Sequence, residues 1–423
     1  MKKILLVSYS FIPFEDPQSL RWYYLSRYLA RNGYEVDVLT VNIPYVQKAL
    51  RLENNSIRTI RVFPGFYSFF TNFFKRSFFS DGYYKSSVRI SSNFLTLKKM
   101  HKFFKKILDI AFPGDFRSEW FIFAISRLIS LGLNRYSVLI TSQEPFVDTL
   151  IGMFLKILKP DLFWIADFGD TMFAPYYLKL KRIVDGFIEK GAMKMADKII
   201  VTNHSVVKQI ESIYGINRKK ISVITQGYPS LLDIDKSESR ENKLTMLFCG
   251  TFYSGFREPD ALLYALERMQ YPIEFLIAGR NEEFYEKFSR IRKVKYLGYI
   301  SHSEILSLQR KVDVLVNISN KQTHQLAGKL FEYLGTTKPI LNIVYSPYDE
   351  SIEIISSTGC GITCMNEPEM IYNALNFFAA LHLKGKLKRF FKCNKEKIEF
   401  FNWDNLGSIL KEVIENIGST GYY

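Results

Sequence analysis

The stretch His324-Gln325-Leu326-Ala327-Gly328-Lys329-Leu330-Phe331-Glu332-Tyr333-Leu334, followed closely by Pro339-Ile340-Leu341-Asn342-Ile343-Val344, decides how the rest of this chain is read. A turn of small residues runs straight into a short helix, and a continuous apolar strand follows. A helix N-terminus offers unpaired backbone N–H groups and a partial positive charge, so it suits a diphosphate. Glu332 lies one turn further in, where a carboxylate can accept both hydroxyls of a ribose. The same pattern fits other phosphate ligands, so its surroundings must narrow it.

Working outward, strand and helix patterns alternate. Upstream lie strand Thr245–Cys249, helix Pro259–Met269, strand Ile273–Ala278, strand Val294–Leu297, helix Ser303–Arg310 and strand Val312–Ile318. The first half repeats this rhythm. Strand Ile4–Ser8 leads through a loop to Asp16, which reads as an N-cap with Pro17 at the first helical position; the helix runs to Asn32 before Gly33. Strand Glu35–Val41, strand Ser137–Thr141, helix Asp148–Leu158, strand Leu162–Asp167, a long helix near Leu178–Met195 and strand Lys198–Thr202 follow. Such alternation predicts parallel, doubly wound sheets in an α/β protein. Residues 44–132 break the rhythm and read as a helical insertion, and Ser230–Lys243 is polar enough for a linker. The expected organisation is therefore two Rossmann-like domains, 1–229 and 244–395, facing across a cleft at the carboxyl ends of their sheets. A helix in 396–423 is expected to cross back to the first domain.

Composition excludes several classes. The chain has 423 residues, 47% of them hydrophobic, which is ample for two cores. No apolar run approaches the roughly 20 residues that span a bilayer, and the apolar start at Ile4 is too short for a signal peptide. A cytoplasmic location is expected. Cys249, Cys360, Cys364 and Cys393 form no disulfide framework or complete zinc set, so no metal site is expected. The net charge of +15 calls for an anionic partner, yet no nucleic-acid-binding motif is present. Between Phe73 and Trp120, basic residues including Lys98, Lys99, Lys102, Lys105 and Lys106 are interleaved with phenylalanines, and Leu97–Ile110 is amphipathic at helical spacing. This pattern fits an anionic membrane surface. Its alternative is a helical insertion whose aromatics pack inward.

Common nucleotide motifs are missing. Neither half carries GxGxxG after its first strand, and GxxxxGK[ST], HExxH and GxSxG are absent. What remains is the turn Cys249-Gly250-Thr251-Phe252-Tyr253-Ser254-Gly255-Phe256-Arg257-Glu258-Pro259. There Gly250 and Gly255 let backbone approach a ligand, and Arg257 could neutralise a leaving diphosphate. A surface arginine on a glycine turn is the plainer reading.

Taken together, these segments resemble the family 4 glycosyltransferases of the GT-B fold. LLVSYSFIPFEDPQSLRWYYLSRYLARNGYEVDVLT, TSQEPFVDTLIG, WIADFGDTMF, ADKIIVTNHS and VITQGYP fall in the family's order through the first half. CGTFYSGFREPDALLYAL, FLIAG, VKYLGYISHSEILSLQRKVDVLVNI and AGKLFEYLGTTKPIL continue it through the second. The resemblance implies transfer of a sugar from a nucleotide diphosphate donor, with retention of configuration, no cofactor and no obligatory divalent metal. It implies that Glu332 binds the donor ribose and that Ala327, Gly328, Lys329 and Leu330 form the diphosphate cradle. Gly250 and Thr251 would lie on the cleft floor, Tyr299 would enclose the base, and Arg257 and Lys329 would stabilise the leaving group. Asp170 matches the acidic member of the family's Arg-Asp pair. Asp167, three residues earlier, reads as a buried strand end.

The chain also departs from the family pattern. His324 stands where a sugar-contacting glutamate is usual, Gly169 replaces the arginine of the Arg-Asp pair, Thr149 falls at a frequent histidine, and Gln226 replaces an asparagine before Gly227. The resemblance thus implies an intact donor site beneath an altered sugar-contacting layer. The expected partners are a nucleotide-sugar donor, a glycan or polyprenyl-linked acceptor of the cell surface, and the inner face of the plasma membrane. A non-catalytic partner subunit and a nucleotide-sugar 2-epimerase are the competing readings.

Overall fold

The computed structural model describes residues 2–14, 16–42, 56–71, 112–169, 179–229, 243–321 and 325–416. The chain divides into two compact units. Met1–Val201, Val207–Ile224 and Gly407–Tyr423 form the first, and Thr202–Val206 with Thr225–Leu406 form the second.

The first unit is built on β1 (Lys3–Val7), β2 (Glu35–Val41), β3 (Ile57–Val62), β4 (Val138–Ser142), β5 (Phe163–Phe168), β6 (Lys198–Val201) and β7 (Ile221–Val223). They run in the order β3-β2-β1-β4-β5-β6-β7, with every pairing parallel. In β1 and β4 almost every residue is buried, because helices cover both faces of a parallel sheet and leave no polar side. Helix Pro17–Arg31 starts as its sequence predicts: Asp16 accepts a hydrogen bond from Ser19 N at 2.9 Å, and Pro17 occupies the first turn. Its Arg21 is fully buried and pairs with Asp167 at the end of β5, Nε to Oδ2 3.1 Å, while Gln18 donates to the same oxygen at 3.2 Å. Asp167 is thus a buried strand-end carboxylate.

One expectation needs correcting. Residues 44–132 are not purely an inserted helical segment, because β3 belongs to the sheet, in parallel register on β2 from Val36 opposite Ile57 to Val41 opposite Val62. Its sequence, IRTIRV, mixes buried Ile57, Ile60 and Val62 with exposed Arg58 and Arg61 because it lies at the sheet edge. The continuous apolar run of a central strand is therefore missing. Helix Trp120–Leu131 then leads into β4.

The second unit contains β8 (Leu244–Cys249), β9 (Ile273–Ala278), β10 (Val294–Gly298), β11 (Val314–Ile318), β12 (Ile340–Val344) and β13 (Gly361–Met365). The order is β10-β9-β8-β11-β12-β13, again entirely parallel. Helix Ser351–Thr358, edge strand β13 and helix Pro368–Leu383 follow β12, elements that the sequence pattern does not single out. The core on one side of this sheet joins Met246, Phe248, Phe275, Val316 and Ile343 to Phe378 of helix Pro368–Leu383. In both sheets the connections reverse direction at the centre, between β1 and β4 and between β8 and β11. Loops leaving the carboxyl ends of strands diverge at such a point, and open α/β sheets bind ligands there. Among the described residues, no helix is long and apolar enough to cross a membrane.

Candidate functional site

The candidate site lies at the reversal point of the second sheet. It is formed by the loop after β8, the loop after β11 and helix Gly328–Leu334.

The loop after β8 is pinned from several sides. Gly250 N donates to Ala278 O at 2.9 Å. The buried Asn281 side chain donates to Gly250 O at 2.9 Å and accepts from Phe252 N at 2.6 Å. Tyr296 OH in turn donates to Gly279 O and accepts from Asn281 N, both at 3.0 Å. Position 279 must be glycine, since φ is +142° and a Cβ there would sit 2.1 Å from Gly250 O. The backbone at Gly250 and Thr251 is therefore fixed before any ligand arrives.

Arg257 ends the tight turn Tyr253–Arg257, which is closed by reciprocal backbone bonds of 2.8 and 2.9 Å. Its guanidinium folds back under the loop. Nη2 donates to Asn320 Oδ1 at 2.5 Å and Nη1 to Thr251 O at 3.4 Å. Nε is buried with no partner, and no carboxylate pairs with this arginine among the described residues. Burial lowers its pKa, opposed by the nearby tyrosines 253, 333 and 345. A buried cation without a counter-ion is costly, and an incoming anion relieves that cost. Asn320, at the end of β11, is held by Gln325 through a bond of 3.2 Å, so the two loops share one network.

Helix Gly328–Leu334 begins at Ala327, which provides no side-chain cap. Leu330 is fully buried, so its side chain serves the core and only its backbone could meet a ligand. Tyr333 OH accepts from Cys249 N at 2.9 Å and ties this helix to the end of β8. Burial pushes the Cys249 thiol up to about 12, which leaves it an inert core group. Glu332 presents its carboxylate beside Lys329, whose Nζ lies 2.8 Å from Oε1 and 2.7 Å from Oε2. Gln309 Nε2 adds a bond of 3.3 Å to Oε2. Burial would raise the Glu332 pKa, but the positive charges of Lys329 and His302 and these hydrogen bonds hold it below the usual carboxylate value. Lys329 and Glu332, assigned separately to diphosphate and ribose, are thus each other's partners.

Tyr299 is exposed after Gly298, with the Arg280 guanidinium 4.8 Å above its ring. Gln226 reaches the helix start, for a Cβ on Gly328 would lie 3.4 Å from its Cγ. The structure therefore brings Gly250, Thr251, Arg257, Ala327, Gly328, Lys329, Leu330 and Glu332 to one end of one sheet. Thr149 is buried at the start of helix Val147–Leu158 in the first unit. Asp170, His324, Lys98, Lys99, Lys102, Lys105 and Lys106 lie outside the described residues. Sequence reasoning missed Asn281, Gln309 and Asn320. Asn281 and Asn320 share one legible signal, a lone amide just beyond an apolar strand.

No protein-family profile and no curated protein sequence matches this chain. Solved structures do. Sucrose-phosphate synthase from Thermosynechococcus elongatus superposes with a TM-score of 0.67 at 14% identity, covering 100% of both chains. Anabaena HepE in complex with UDP and glucose gives 0.65 at 12% identity, over 99% of this chain and 100% of the other. TarM also gives 0.65 at 12%, over 98% of both. Identities this low speak to architecture, and over its full length the chain has the two-sheet α/β fold of the GT-B glycosyltransferases.

Proposed function

We propose that this protein is a family 4 glycosyltransferase, which moves a sugar from a nucleotide diphosphate to a cell-surface glycan or lipid-linked acceptor with retention of configuration. One observation carries the reading. At the reversal point of the second sheet lies a buried arginine without a carboxylate partner among the described residues, and Tyr333 ties the end of β8 to the short helix on which Lys329 favours the carboxylate form of Glu332. Solved neighbours bound to UDP, glucose or UDP-glucose give the donor class its support.

In the proposed reaction, the bond from the anomeric carbon to the diphosphate oxygen breaks. A new bond forms to the acceptor oxygen on the same face, and the acceptor proton passes to the departing phosphate. Ribose hydroxyls take the Glu332 oxygens now held by Lys329. The freed ammonium then joins Arg257 and the N–H groups of Gly328 and Lys329 on the diphosphate. A single well-placed donor to developing negative charge supplies roughly 3–4 kcal/mol of barrier reduction. Two cations meet the charge requirement, and no divalent metal enters the scheme. Tyr299, with Arg280 over its ring, would cover the base. Asp170 and His324 would complete the sugar layer, and Lys98, Lys99, Lys102, Lys105 and Lys106 would hold the chain at the inner face of the plasma membrane.

Incubation with a panel of nucleotide sugars separates this reading from its rivals. Acceptor-dependent release of a nucleoside diphosphate is the expected result. Donor isomerisation without release would make the protein an epimerase, and failure to bind any donor would make it a non-catalytic partner.

A further inference from the structure

The uncompensated charge of Arg257 follows from the way two loops of the second unit are tied together. Lys321 N donates to Phe256 O at 3.0 Å, so the chain leaving β11 runs directly against the turn that carries the arginine. Asn320, 7% exposed just beyond that strand, meets the guanidinium with its amide oxygen. Its amide nitrogen donates to Gln325 Oε1 at 3.2 Å, which fixes the end of the amide that faces Arg257.

The acidic side chains nearest in sequence are engaged elsewhere. Glu258, the very next residue, accepts from Gly255 N at 2.9 Å and from Lys321 Nζ at 3.2 Å. Its backbone is pinned as well, since Glu258 N donates to Tyr345 OH at 2.9 Å. Asp260 is held by Lys287 Nζ at 2.6 Å. Among the described residues, the guanidinium therefore donates only to neutral oxygens, those of the Asn320 amide and the Thr251 carbonyl. An amide oxygen orients a guanidinium without cancelling its charge. A carboxylate of nearly the same shape at position 320 would neutralise the arginine in the resting protein.

We infer that Asn320 is a positioning residue whose neutrality reserves Arg257 for the diphosphate of the donor, and that it thereby sets the preference of the site for nucleoside diphosphates over monophosphates. The inference rests on the donor site proposed above and adds a residue that acts on the ligand only through Arg257. Asparagine and aspartate are nearly isosteric, so selectivity here turns on the charge at position 320 rather than on its shape.

Calorimetric titration of UDP and UMP, GDP and GMP, and ADP and AMP into the full chain and its Asn320→Asp variant at neutral pH tests it. Wild type is expected to favour the diphosphate of the base it accepts. Asn320→Asp should bind that diphosphate about tenfold more weakly, with a smaller loss for the monophosphate, because the new carboxylate competes with the ligand for one cation. The unliganded variant should unfold at the wild-type temperature or above it, since a buried cation gains a counter-ion. In an Arg257→Gln background, the change at position 320 should have no further effect on diphosphate binding, because both positions act through one contact. A lower unfolding temperature, equal losses for both nucleotides, or a full additional loss in the Arg257→Gln background would mark a merely structural asparagine and overturn the inference. Unchanged diphosphate affinity in Asn320→Asp overturns it too, and leaves the donor site itself standing. Failure of wild type to bind any of the three diphosphates overturns both.

Discussion

Glu332 shows how much of a site can rest on one residue's neighbours. Burial alone would favour its neutral form, and a protonated carboxyl can accept fewer hydroxyls than a carboxylate. Lys329, three residues earlier on the same helix, reverses the balance through two contacts under 3 Å. The sign of a pH effect follows. In Lys329→Met, burial should raise the Glu332 pKa, so the carboxylate is lost as pH falls. As pH is lowered, nucleoside diphosphate affinity should then fall earlier and more steeply in the variant than in wild type, because its carboxyl takes up a proton at higher pH. Equal pH profiles in calorimetric titration would refute this coupling. The pair was legible as an i, i+3 spacing, although the sequence pattern assigned each residue a separate ligand group. Arg257 was harder to judge. A buried arginine and a surface one look alike in sequence, and the difference lies in Asn320, 63 residues away.

At the scale of elements, central strands were readable; of the edge strands β10 was, as Val294–Leu297, while β3, β7 and β13 were not. β1, β4, β8, β11 and β12 are apolar through most of their length because both faces are covered. β3 places Arg58 at the surface, and β13 is half-exposed throughout, so neither produces that run. Capping was readable wherever its chemistry is local, as at Asp16 and Pro17. The clamp between the β8 and β9 loops was not, because Gly279 gains its meaning only from the Gly250 carbonyl beside it. Gly279→Ala combines a disfavoured backbone with a clash and should destabilise the second unit by about 2–3 kcal/mol. Thermal unfolding measures this directly, and an unchanged midpoint would show that the loops are not packed as described.

For the whole molecule, alternation of strand and helix pointed to two parallel sheets, and their central reversals place the candidate residues together at one sheet end. Sequence order alone could not supply the polar scaffold beneath them. Asn281, Gln309 and Asn320 act through partners on other strands and loops, where neither periodicity nor spacing reports contact. The central claim is that this sheet end seats a nucleoside diphosphate, with its ribose on Glu332. The direct measurement is calorimetric titration of UDP and other nucleoside diphosphates into wild type and Glu332→Ala. The account predicts wild-type binding and a loss of about ten- to a hundredfold in the variant, as expected for hydrogen bonds to a charged group. No wild-type binding of any nucleoside diphosphate, or equal affinity in the variant, would contradict it.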